Sequence, residues 1–195
     1  MFVKKLLLII SLCFSIQVYS QVDTAKLNRA YDRLMKDTAS HAFQMEFFMA
    51  FPVTFMQYYQ TYMSPGPNYN VAEKHVSAFR KLTAVPKASY CDRLIRLSIA
   101  GKWDADAVND LKRLIHEYTV KNPETVLDCL SKYSRGYQLR FWQFYWTSLN
   151  ATHEYLDEYN KLRTIIFPVS PEQTGIMDIA FEFAWKEIFT PDVIF

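Results

Sequence analysis

Apolar residues recur at helical spacing along nearly the whole chain, and only four glycines occur in its 195 residues. That pairing restricts the fold severely. Leu27, Ala30, Tyr31, Leu34 and Met35 mark one face of a first helix, because residues three and four apart stack on one side of a helical turn. Val76, Phe79 and Leu82 mark another, and Asn70 with Glu73 three residues on reads as its N-terminal cap. Gly101 is placed to end the helix that carries Cys91. Asp104 then caps the next helix, with Trp103 and Val108 as a hydrophobic staple. Ala107, Val108, Leu111, Leu114, Ile115 and Tyr118 line its apolar side, and Asp110, Lys112, Arg113 and Glu117 its polar side.

Asn122-Pro123 supplies a cap followed by proline at the first helical position. Tyr137, Phe141, Phe144 and Tyr145 form a stripe that Trp142, Trp146 and Leu149 broaden, a width typical of a helix central to a bundle. A helix around Tyr155–Ile166 ends before Pro168, and Ser170-Pro171-Glu172-Gln173 launches the last helix toward Phe189. Ala42–Met56 is the densest apolar stretch and reads as a buried core helix bent at Pro52. No segment alternates like a strand. Ser64–Asn68 is the best candidate linker, although it is too short to define two domains. The prediction is an all-α fold, a compact single-domain array of about six to eight helices.

Met1–Ser20 has the order of a cleavable export signal. Lys4 and Lys5 precede the apolar run Leu6–Ile16, and Val18 and Ser20 suit a cut after Ser20. The run is shorter than the roughly 20 apolar residues of a membrane span. Lipid attachment at Cys13 is disfavoured by the bulky Leu12 before it. The expected domain is therefore residues 21–195, in the periplasm or secreted. Such a chain buries about 70% of its unfolded surface and needs no metal or dense disulfide set. The 22 basic and 20 acidic residues come into balance once Lys4 and Lys5 leave with the leader. Nucleic-acid binding and polybasic membrane docking are poor fits to that balance.

Cys91 and Cys129 remain after cleavage. In an oxidising compartment an even pair is a disulfide candidate. Two buried thiols are the competing arrangement, since Cys91 keeps step with Leu94, Ile95, Ser98 and Ile99. Of the four histidines, none belongs to an HExxH pattern or stands beside a cysteine at zinc spacing. His153 and Asp157 share a helix face, but Glu154 and Glu158 make that face a solvated acidic surface. His75 reads as a satisfied core histidine and His116 as surface. No G-x-S-x-G elbow and no glycine-rich phosphate loop occurs. No catalytic residue, cofactor site or metal site is assigned. Glu46, inside the apolar stretch, must be paired, exposed at an edge, or raised in pKa.

Aromatic residues make up 16% of the chain. Tyr58, Tyr59 and Tyr62, beside the Pro65-Gly66 turn, are candidates for an exposed binding patch, with ordinary half-buried packing as the favoured competing arrangement. The phrase Gly101–Val108 and the Phe51-Pro52-x-x-Phe55 element, with its following tyrosines, resemble a group of small uncharacterised exported helical proteins of Gram-negative bacteria. That resemblance implies a periplasmic or cell-surface setting and carries no catalytic residue. The expected function is a non-enzymatic binding protein. It would act as an immunity protein or inhibitor that occludes a toxin or wall hydrolase, with another envelope protein as partner. The alternatives are a lysozyme-like envelope hydrolase using a glutamate general acid, such as Glu46, Glu154 or Glu172, and a helical carrier of an apolar ligand.

Overall fold

The computed structural model describes residues 21–102, 105–147 and 153–189. The leader and the Trp103–Asp104 staple and cap lie outside them. The described residues fold into ten α-helices with no strand. The all-α expectation holds, but the number exceeds six to eight because the chain breaks more often than its apolar pattern shows.

Helix α1 (Thr24–Lys36) starts at Asp23, whose Oδ1 accepts from the Lys26 amide at 2.9 Å, and buries Leu27, Ala30 and Leu34. Met35, expected on the same face, is exposed. The stretch expected as one bent helix is two, α2 (His41–Ala50) and α3 (Phe55–Tyr62). Pro52 lacks an amide hydrogen and disfavours helix at the residue before it. Thr54 then starts α3 with a capping box shared with Gln57. The carbonyls left at the break are satisfied from a distance. Arg93 Nη1 donates to the oxygens of Phe48, Phe51 and Pro52 at 3.0, 2.9 and 3.3 Å. Its guanidinium also lies 4.4 Å from the Phe48 ring centre.

Ser64–Asn68 is a packed turn rather than an open linker. Asn68 is buried and exchanges side-chain amide bonds with Asn28 of α1. A short 3-10 turn, Tyr69–Val71, leads into α4 (Ala72–Arg80). Asn70 falls inside that turn, so the expected cap is absent and Val71 occupies the position without a side-chain bond. Helix α5 (Lys87–Ser98) is followed by Gly101. That glycine has no positive φ. It is required for space, because a Cβ there would enter the Phe144 ring.

Helices α6 (Ala105–Lys121), α7 (Pro123–Ser131), α8 (Arg135–Trp146), α9 (His153–Ile166) and α10 (Pro171–Phe189) complete the chain. Asn122-Pro123 and Ser170-Pro171 start α7 and α10 where the sequence predicts, but Asn122 makes no side-chain cap and instead donates from Nδ2 to the Tyr118 carbonyl. Ser170 Oγ caps Gln173. The Gln173 side chain does not return to the cap. It donates to Gln138 Oε1 at 2.8 Å and accepts from Trp142 Nε1 at 3.3 Å, and Gln138 in turn donates to the Leu130 and Tyr133 carbonyls. This buried chain of amides joins α7, α8 and α10. The pairing of α8 with α10 is the most extensive between helices.

One apolar cluster runs from Leu27 on α1 to Ala184 on α10. Aromatic rings dominate its N-terminal part. Phe51 stacks on Phe79 at 4.2 Å and Phe79 on Tyr90 at 5.0 Å, pairs that contribute about 0.5–1.5 kcal/mol each beyond the area they bury.

Candidate functional site

Lys112 and His116 lie one turn apart on α6, on the side that the sequence marks as polar and outward. In the fold that side faces a neighbour. The last turn of α8 brings Tyr145 and α9 brings Tyr155 and Glu158, and together these residues line a cleft of about 340 Å³. His116 is half-buried rather than plain surface. Its ring stacks on Tyr145 at 3.8 Å, nearly parallel. Nδ1 lies 2.7 Å from Glu158 Oε1, and Nε2 lies 2.8 Å from the Tyr145 carbonyl oxygen. Carboxylates and carbonyls accept hydrogen bonds, so both contacts are satisfied together only by a ring that donates from both nitrogens. The His116 hydrogen bond lowers the Glu158 pKa against its partial burial, and the charge of the ring acts in the same direction.

Lys112 has no such arrangement. Its residue is 9% exposed, and Nζ has no hydrogen-bond partner among the described residues. The nearest aromatic face is Phe144, 5.4 Å from Nζ to the ring centre. Burial pushes the ammonium from its ordinary 10.5 down to about 7, against the opposing pull of Glu158. The hydroxyls of Tyr145 and Tyr155 are also buried without partners among the described residues. Burial raises the pKa of both phenols, with the Glu158 charge adding to it, so both remain protonated donors. An ammonium and two hydroxyls thus lie buried in the wall of one cleft with their donor capacity unused among the described residues. Desolvation on that scale is costly unless an acceptor enters.

A second groove, of about 440 Å³, is lined by Arg80, Tyr90, Tyr118 and Lys121. There the phenols are engaged. Tyr90 donates to the Phe79 carbonyl at 3.2 Å and Tyr118 to the Lys87 carbonyl at 3.3 Å. Arg80 pairs with Glu117 at 3.5 Å, and its buried Nε has no partner among the described residues. The larger volume therefore offers less unmet chemistry than the smaller cleft.

The residues singled out from the sequence lie elsewhere. Cys91 and Cys129 come together across α5 and α7 as buried free thiols. Cys91 Sγ contacts the Thr125 carbonyl at 3.7 Å and Cys129 Sγ the Ala88 carbonyl at 3.8 Å. Burial and the neighbouring Cys129 push the Cys91 thiol pKa up, so reactivity is damped in this state. The expected tyrosine patch is corrected. Tyr58 and Tyr62 are fully buried, with Tyr58 Oη donating to the Ala107 carbonyl at 2.6 Å and Tyr62 Oη 3.0 Å from His75 Nδ1. Only Tyr59 reaches the surface. Their i, i+4 spacing places Tyr58 and Tyr62 on the inner face of α3, and Tyr59 points the other way. His75 is the satisfied core histidine expected. Glu46 is paired with Arg33 at 3.0 Å near the surface. Glu172 is exposed, and the side chains of His153 and Glu154 lie outside the description.

Sequence reasoning missed Lys112, Tyr145, Tyr155 and Glu158 as a group. They are spread over three helices and share no local pattern. Among the described residues no cluster of three or more His, Cys, Asp or Glu could hold a metal ion, and no helix is long and apolar enough to cross a membrane. No family model, curated protein or solved structure matches the chain.

Proposed function

We propose that this protein is an exported, non-enzymatic binding protein of the cell envelope. It acts as an immunity protein or inhibitor that occludes a toxin or wall hydrolase. The observation that carries the reading is the Lys112 ammonium, held with two tyrosine hydroxyls in a cleft and given no acceptor by the described fold. A binding surface gains most where buried donors are completed by a partner. A general acid needs a carboxyl kept protonated near neutral pH. Of the two carboxyls lining this cleft, Glu117 is ion-paired with Arg80 and Glu158 is shifted the other way, which favours binding over acid catalysis there. Occlusion would need roughly 800 Å² on each partner, with the cleft at its centre.

The test is affinity purification from the envelope with the wild-type chain and with Lys112→Met, followed by assay of the captured partner's activity. The wild type is expected to retain a partner, inhibit it, and lose it on substitution. Equal capture by both chains, or capture without inhibition, overturns the proposal. Export has its own check. The envelope-isolated chain should begin at Gln21, and oxidation would leave it lighter by the two thiol hydrogens of Cys91 and Cys129. An intact Met1 on the native chain would remove the envelope from the proposal.

A further inference from the structure

We infer that the cleft between α6, α8 and α9 binds a carboxylate, with the Lys112 ammonium and the Tyr145 and Tyr155 hydroxyls donating to its oxygens. This rests on the binding reading above and names the group that the cleft accepts.

The donor set is the first argument. Two neutral hydroxyls and one ammonium lie buried together among the lining residues. An ionised carboxylate is acceptor-only and has enough lone pairs to serve all three. Bonds of this kind, with both charges removed from water, are among the stronger ones available to a protein.

The charge balance is the second. On α6, Arg113 is ion-paired with Asp110 and Glu117 with Arg80 of α4. Glu158 on α9 lies 2.7 Å from His116 Nδ1, and Lys161 on the same helix acts on it from an exposed position. Tyr145 on α8 adds no charge at its raised pKa. Lys112 is the cation here whose ammonium has no hydrogen-bonded acceptor among the described residues, with the Glu158 charge acting on it from a distance, so an entering acceptor completes it. A phosphate dianion would bring a second charge beside Glu158, where like charges disfavour each other. The third argument is size. At about 340 Å³ the cleft sits at the low end of ligand pockets, room for a small acid or one acidic side chain.

Such a group arrives either as an acidic side chain of a protein partner or as a free small acid. Calorimetric titration of the full chain at constant ionic strength, below about pH 7 where Lys112 holds its proton, distinguishes them. The probes are sodium acetate, glutamate blocked at both backbone ends, and inorganic phosphate. Blocked glutamate or acetate should bind saturably, one per chain, and phosphate should not compete. Lys112→Met should weaken binding about tenfold or more, and Tyr155→Phe about threefold to tenfold. Tighter binding of blocked glutamate than of acetate points to a side chain as the source, and equal binding to a free acid. Preference for phosphate, or unchanged binding by both variants, overturns the inference. Circular dichroism of the variants separates lost binding from lost fold. If envelope capture depends on Lys112 while no carboxylate binds, this inference fails alone. If carboxylate binds and no envelope partner is captured, the inhibitor reading fails alone.

Discussion

Among the described residues two cations are buried, and they are treated in opposite ways. Arg93, on α5, donates to three carbonyls at the α2–α3 break and lies over Phe48. Lys112, on α6, has no acceptor among the described residues. Burial lowers both pKa values, Arg93 from 12.5 to about 10 and Lys112 to about 7. The Arg93 guanidinium still stays charged at neutral pH. Two histidines, buried His75 and half-buried His116, repeat the contrast. His75 sits among Tyr31, Phe47 and Tyr62 and bonds one phenol, and burial drives its pKa down to about 4. His116 meets a carboxylate and a carbonyl at the edge of a cleft. In the N-terminal half, Arg93 completes the backbone and His75 meets a buried phenol. In the cleft buried polarity is left with capacity to spare, and that surplus is the strongest functional signal in the molecule.

The contrast is broken most forcefully at Arg93. Arg93→Ala strands three buried carbonyls and is expected to cost about 3–5 kcal/mol in urea unfolding. A loss under about 1 kcal/mol would show that water satisfies the break equally well. Lys112→Met should act in the other direction and stabilise by about 1–4 kcal/mol. The sign follows from proton uptake. The unfolded chain holds the Lys112 proton up to about pH 10.5 and the folded chain only up to about 7. Between these values the unfolded state binds more protons, so wild-type stability rises with pH across that window. The cost of burying the charge is therefore full below pH 7, where the Met variant gains most, and its advantage fades toward 10.5. A pH-independent gain would mean that packing, not charge, is responsible. Gln173→Leu opens the amide chain at Gln138 and Trp142 and should cost about 1–3 kcal/mol. Glu46→Gln, at an exposed pair, should cost under about 1 kcal/mol and lose even that in high salt.

Local chemistry was readable in the sequence wherever the signal stayed local. Pro171 after Ser170, and Pro123 after Asn122, place helix starts without reference to the rest of the chain. The apolar face of α6 is likewise where its spacing predicts. The failures are of two kinds. Asn70 and the tyrosine trio looked decisive over a few residues, and packing moved them to other roles. Arg93, Lys112 and His116 failed for the opposite reason. Each is an ordinary polar residue on its own helix, and its character is set by residues tens of positions away. The His116–Glu158 contact spans 42 positions, and no periodicity connects them. A helix wedged between two neighbours buries part of its polar stripe too, so the outward side of α6 became the floor of the cleft.

The elbow between α2 and α3 has a kinetic implication. Its hydrogen-bond donor is borrowed from a segment 42 positions downstream of Phe51. A growing chain reaches that corner well before it can close it, and water must attend those carbonyls until Lys87–Ser98 has been made and docked. The corner between α2 and α3 is thus expected to stay unsettled until α5 docks. A fragment ending ahead of Lys87 should behave as loosely associated helices, and assembly should proceed from the middle of the chain outward.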